Sequence, residues 1–179
     1  MKFIFDFDDV LFNNTSQFKP YMYAVLERAG VPRAKAEKYY QTVREDGFSL
    51  RAFIKNLFVF ENIGRDIEEV YREIMTGCSN FLNERLIEAV KRVGLENCYI
   101  VTNGEKEFNK DKLVYSGIWD FLGGEKRVKI VPESKREAII KIRTSKLPDP
   151  KITPNVGSYF TNPILEQAEV LEMKNKEVV

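Results

Sequence analysis

The sequence predicts an α/β fold, in which a parallel sheet carries helices on its faces and an all-helical block is inserted after the first strand. Three observations carry that expectation. An apolar run, Phe3-Ile4-Phe5, opens the chain and runs into acids at Asp6, Asp8 and Asp9. Two further short apolar runs, Cys98-Tyr99-Ile100-Val101 and Val128-Lys129-Ile130-Val131, alternate with helical patterns, and such alternation implies a parallel sheet. Between residues 13 and 77 nothing alternates with the period of a strand. The expected division is a core formed by 1–12 and 80–179, with 13–79 as the inserted block.

The elements follow in order. Phe3-Ile4-Phe5 reads as a buried parallel strand. Asn13-Asn14-Thr15-Ser16 offers helix caps, and a helix follows from about Gln17 to Ala29, with Phe18, Met22, Val25 and Ala29 on one face. Gly30 closes it and Pro32 opens the next, charged segment over 33–45. Ser49 caps a helix carrying Phe53, Ile54, Leu57 and Phe58, and Asn62-Ile63-Gly64 breaks it. Ile67, Val70, Tyr71 and Ile74 mark a fourth helix. Asn80 to Val93 is amphipathic and stops at Gly94. The second strand ends at Thr102-Asn103-Gly104, and a helix covers Lys106 to Tyr115. After the third strand, Ser134 caps a helix through Ala138, Ile139 and Ile142. Three prolines, Pro148, Pro150 and Pro154, interrupt 144–156, and a last helix is expected from Pro163 to Met173.

Composition narrows the function classes. The chain has 179 residues, 44% of them apolar, enough for one core with an insertion. Lys plus Arg is 28 and Asp plus Glu is 27, a net charge of +1. That balance disfavours nucleic acid as a partner, although Lys106, Lys110 and Lys112 cluster on one expected helix. With no histidine, triads and zinc sites that need one are excluded. Cys78 and Cys98 have no metal-ligand spacing, and Cys98 reads as a buried thiol. No apolar run approaches the roughly 20 residues of a membrane helix. The expected setting is cytoplasmic, with no membrane partner.

The acids are the informative feature. In open α/β sheets, ligands sit at the carboxyl edge of the strands. Asp6 and Asp8 are two apart, so on an extended backbone they face the same way. Paired carboxylates are costly unless a cation or a chemical role accounts for them. Singly, either acid is compatible with a solvated strand end or a helix cap. Asp9 reads as a loop acid, and Phe53, Phe58 and Tyr71 read as core of the inserted block.

On these residues the chain resembles the haloacid dehalogenase superfamily of phosphohydrolases. Phe5-Asp6-Phe7-Asp8-Asp9-Val10-Leu11 is similar to its first motif, and Tyr99-Ile100-Val101-Thr102-Asn103-Gly104 to its second. Lys112 through Phe121 looks like the segment between the second and third motifs. The third motif is a lysine at a helix start. Lys135 fits best, with Arg136 and Lys129 as competitors. The resemblance implies a Rossmann-like core with a helical cap. It implies Asp6 as the nucleophile that forms an aspartyl-phosphate, and Asp8 as the general acid and base. It also implies Thr102, Asn103 and Lys135 as phosphate ligands, and Mg²⁺ on Asp6 and the backbone carbonyl of Asp8. These roles agree with what phosphoryl transfer needs: a nucleophile, a proton donor and spread positive charge. The expected substrate is a small phosphorylated metabolite.

The chain departs from the family at its fourth motif. Gly157 and Asn162 fit the stretch Val156-Gly157-Ser158-Tyr159-Phe160-Thr161-Asn162-Pro163, but Ser158 and Pro163 stand where acids are expected. Asp149, Glu133 and Asp9 are candidate substitutes. The departure motivates a second expectation, a phosphate-binding or regulatory protein with weakened catalysis. A dehalogenase ranks below both, because its first motif lacks the second acid that Asp8 provides.

Overall fold

The computed structural model describes residues 2–44, 47–132 and 134–144. The expectations that fall on Glu133, Asp149 and the segment 145–179, including Ser158 and Pro163, lie outside the described residues. The chain divides into two units, Met1–Arg143 and Thr144–Val179, and the description concerns the first.

Strands β1 (Phe3–Phe5), β2 (Cys98–Asn103) and β3 (Val128–Val131) form one sheet in the order β1-β2-β3. Both pairings are parallel, with Phe5 beside Ile100 and Thr102 beside Ile130. The β-branched and aromatic residues of these short runs suit a sheet covered on both faces. Parallel register brings all three carboxyl ends to one edge.

The chain leaves the sheet as soon as Phe5 is passed. The amides of Val10, Leu11 and Phe12 all donate to the Phe7 carbonyl, at 3.3, 3.0 and 3.0 Å, and coil the loop tightly. Phe7 and Phe12 are fully buried and stacked 5.1 Å apart. Asp9 takes the left-handed conformation (φ 58) and accepts from both the amide and the hydroxyl of Thr15, at 2.7 and 2.6 Å. It secures the loop to the turn that follows.

That turn is a single π turn, Asn14–Phe18, which leads directly into α1 (Lys19–Arg28). Pro20 sits in the first turn of α1, where its missing N–H costs nothing. Helices α2 (Arg33–Val43), α3 (Leu50–Phe60) and α4 (Ile67–Thr76) complete the inserted block. Ser49 caps α3 and Asp66 caps α4 through side-chain oxygens. Phe53, Phe58 and Tyr71 are buried in this block. A 3₁₀ turn, Gly77–Phe81, returns the chain to the core. Phe12 and Leu82 meet in an antiparallel bridge, so the block starts and ends at one point.

Helix α5 (Glu84–Val93) begins later than its apolar pattern suggests. Leu82 is extended (φ −71, ψ 143), and Asn83 caps the helix from its side chain. Leu82 therefore keeps its apolar contact without being helical. Helices α6 (Lys106–Tyr115), α7 (Ile118–Leu122) and α8 (Arg136–Thr144) follow. The Lys2 ammonium donates to the Ile142 carbonyl, which ties α8 to the start of β1. Among the described residues, no helix is long and apolar enough to cross a membrane.

A Cβ on Gly77 would lie 2.5 and 2.8 Å from carbons of the Tyr21 ring, and that ring is held by its own hydrogen bond to the Glu73 carbonyl. Gly77→Ala is expected to lower stability by about 1–3 kcal/mol, read as a lower urea midpoint. Both cysteines are buried, and burial pushes the Cys78 thiol up to about 12. A thiolate-seeking reagent at pH 8 should leave both unmodified in the native protein and label two per chain in denaturant. Rapid labelling of the native protein would show the packing to be wrong.

Candidate active site

Asp6 and Asp8 stand at the carboxyl edge of the sheet, each beside its own lysine. Asp6 Oδ1 accepts the Phe7 amide at 2.7 Å. Asp6 Oδ2 accepts from Lys135 Nζ at 2.5 Å, across 129 residues of sequence. The two side chains are 38% and 28% exposed, so the pair is open to a ligand. Ser134 Oγ accepts the Arg136 amide at 3.2 Å, starting α8 so that Lys135 faces the strand edge.

Asp8 has a different partner. Both its oxygens accept from Lys112 Nζ, at 2.6 and 2.7 Å. The Lys112 side chain is only 2% exposed. Because the backbone coils after Phe5, the two acids do not share one cation as neighbours on a flat strand would.

Thr102 and Asn103 close β2 at the same edge. Thr102 is 1% exposed, and Asn103 is exposed. Gly104 follows with φ +129, and a Cβ there would lie 2.6 Å from Asn109 Nδ2. That Nδ2 donates to the Asn103 and Glu105 carbonyls at 3.5 and 2.9 Å. Glycine is thus required for Asn109 to hold the loop from inside. The Glu105 carboxylate caps α6, accepting the amides of Glu107 and Phe108 at 2.9 and 2.7 Å.

A cavity of about 740 Å³ lies between the inserted block and the sheet edge, reached by Asp8 and Asn103. The block contributes Tyr40, Arg44 and Phe48 to its wall, and α6 contributes Lys106, Phe108, Asn109 and Lys112. Block and core are bound together by Arg51. Its Nε donates to Glu68 at 2.9 Å, and its Nη1 donates to Glu107 at 2.5 Å and to Asp111 at 3.3 Å. The guanidinium lies 3.7 Å from the Tyr71 ring centroid. Tyr71 Oη donates to Asp111 at 2.5 Å, and burial with that bond raises its pKa, so the phenol stays protonated.

Among solved structures, a haloacid dehalogenase-like hydrolase from Burkholderia xenovorans LB400 matches with a TM-score of 0.58 at 16% sequence identity. The match covers 79% of this chain and 65% of that one. The fold is haloacid dehalogenase-like. No family model matches the chain. Among curated proteins, the UDP-N-acetylenolpyruvoylglucosamine reductase of Amoebophilus asiaticus is 29% identical over 132 residues, 65% of this chain and 39% of the reductase. The Psychrobacter cryohalolentis reductase is 47% identical over 49 residues, 27% of this chain and 13% of its own length. The chain thus spans well under half of these reductases, and the likeness is local. Within the haloacid dehalogenase-like fold, the strand edge holding Asp6, Asp8 and Asn103 is where a ligand is expected.

The donor chemistry at Asp6 fits Mg²⁺. Each Asp6 oxygen accepts one hydrogen bond, from Phe7 or Lys135, and retains a second lone pair. The Asp8 carbonyl is a second hard oxygen at the same edge. Mg²⁺ commonly takes one or two carboxylates and keeps several waters. Among the described residues no cluster of three or more His, Cys, Asp or Glu side chains stands ready for a metal.

The contact of Lys112 with Asp8 is the feature of this edge that sequence reasoning missed. On α6 Lys112 looks like one more surface base beside Lys106 and Lys110. The signal that could have found it is its place on a buried face with Phe108, Asn109, Leu113 and Ser116, where a charge demands a partner.

Proposed function

We propose that the protein hydrolyses a small-molecule phosphate monoester through an aspartyl-phosphate on Asp6. The observation that carries this reading is the Asp6–Lys135 pair, set at the ligand-binding edge of a haloacid dehalogenase-like fold. In the first step Asp6 Oδ attacks phosphorus, the ester P–O bond breaks, and the departing oxygen takes the proton of Asp8, which enters this step as the carboxylic acid and leaves it as the carboxylate paired with Lys112. In the second step water attacks phosphorus, its proton passes to Asp8, and the Asp6–phosphorus bond breaks to release phosphate. Lys135 balances the charge of Asp6 and the phosphate oxygens. The Thr102 hydroxyl and Asn103 orient the phosphoryl group. Mg²⁺ held by Asp6 and the Asp8 carbonyl would add positive charge at the phosphate oxygens. The inserted helices cap the cavity, exclude water and select the substrate.

A second reading, phosphate binding with weakened catalysis, is favoured by Ser158 and Pro163 at the expected acid positions. One experiment separates the two. Phosphate release is measured from a panel of monoesters with Mg²⁺ and after chelation, with Asp6→Asn as control. The proposed reading expects turnover above the control that falls on chelation and returns with Mg²⁺. No turnover above the control on any monoester favours the second reading.

A further inference from the structure

We propose that Lys112 is a positioning residue that fixes the proton-transferring carboxyl group of Asp8. This inference rests on the phosphate-ester reading above. The two residues are 104 apart in sequence, yet the Lys112 ammonium meets both Asp8 oxygens, at 2.6 and 2.7 Å. Taking an ammonium out of water is costly unless a partner compensates it, and at 2% exposure Lys112 has left water almost entirely.

Its surroundings fix where that charge can be. The ammonium lies 5.8 Å from the centroids of Phe7 and Phe12 and 4.9 Å from that of Phe108. Ring faces attract a cation without giving it a hydrogen-bond acceptor. Phe7 and Phe12 belong to the loop that carries Asp8, while Phe108 and Lys112 belong to α6. The pair therefore locks the loop after β1 to the helix after β2. A carboxylate gripped at both oxygens cannot rotate freely. It is also kept from Lys135, which leaves that lysine to Asp6. Lys112 touches neither phosphate nor leaving group in this account. It acts through Asp8, and a misplacement of about 1 Å at a reacting group can cost on the order of a hundredfold in rate.

The test uses the full chain and two substrates, p-nitrophenyl phosphate and propyl phosphate. Departure of nitrophenolate needs little proton donation, whereas departure of propoxide needs it fully. The parameter kcat/KM reports the steps up to leaving-group departure. Lys112→Met is expected to lower kcat/KM for propyl phosphate by roughly tenfold to a hundredfold. The loss for p-nitrophenyl phosphate is expected to be several times smaller. In an Asp8→Asn background the same substitution is expected to cost little further activity, since residues acting as a unit are non-additive. Lys112→Arg, which keeps the charge, is expected to recover part of the propyl phosphate activity and serves if the methionine variant fails to fold. Equal proportional losses on both substrates, or a loss that persists undiminished in the Asp8→Asn background, overturn the proposal and leave the phosphate-ester reading standing. A wild-type protein inactive on all monoesters overturns both.

Discussion

Asp6→Asn is expected to lower phosphate release by a factor on the order of 10⁴ or more, because an amide cannot serve as the nucleophile and no second carboxylate takes its place. Asp8 is the nearest acid in sequence, but Lys112 holds both its oxygens. The substitution should barely affect stability. The Asp6–Lys135 pair is partly exposed, at 38% and 28%, and such pairs contribute about 1 kcal/mol or less. The expected shift in Tm is no more than about 4 °C for a chain of this size. Activity and thermal unfolding measured on one preparation check this. Substantial residual turnover in a folded Asp6→Asn protein would remove Asp6 from the nucleophile's role.

Asp8→Asn is expected to behave differently, losing both rate and stability. Removing a general acid and base costs about 10²- to 10⁴-fold. The same change strands the Lys112 ammonium in a nearly water-free setting. Breaking a buried pair at one partner costs about 3–5 kcal/mol, and the 28% exposure of Asp8 places this case near the lower end. The double variant Asp8→Asn with Lys112→Met should recover part of that stability, since it strands no charge. Denaturant unfolding of the single and double variants gives the comparison. If Asp8→Asn is as stable as wild type, the pair does not hold the loop to α6.

The three strands were legible because each is a short β-branched or aromatic run bounded by turn residues. Helix α6 was legible because it follows directly on Thr102-Asn103-Gly104, which ends the second strand. Helix α7 was not, since five residues between Gly117 and Gly123 are too few to show a period. The late start of α5 was hidden because Leu82 fits the helical pattern, while the cap at Asn83 decides the backbone. The acids at Asp6 and Asp8 drew attention to the strand edge, and Lys135 is paired there with Asp6. The other partner depends on packing. Nothing local distinguishes Lys112 from Lys110, which lies over the Trp119 ring at 5.2 Å, until α6 is laid against the loop after β1. Lys110 lies over a ring, Lys106 lines the cavity, and Lys112 lines it as well while committed to Asp8.

The covalent step is the centre of this account, and trapping it is the most direct test. Wild-type protein turning over p-nitrophenyl phosphate is quenched in acid and digested, and the peptide containing Asp6 is analysed by mass spectrometry. The account predicts a phosphoryl group on Asp6, formed fast enough to support turnover and missing in Asp6→Asn. Phosphate release at full rate with no phosphoryl group on Asp6 at any quench time would contradict it.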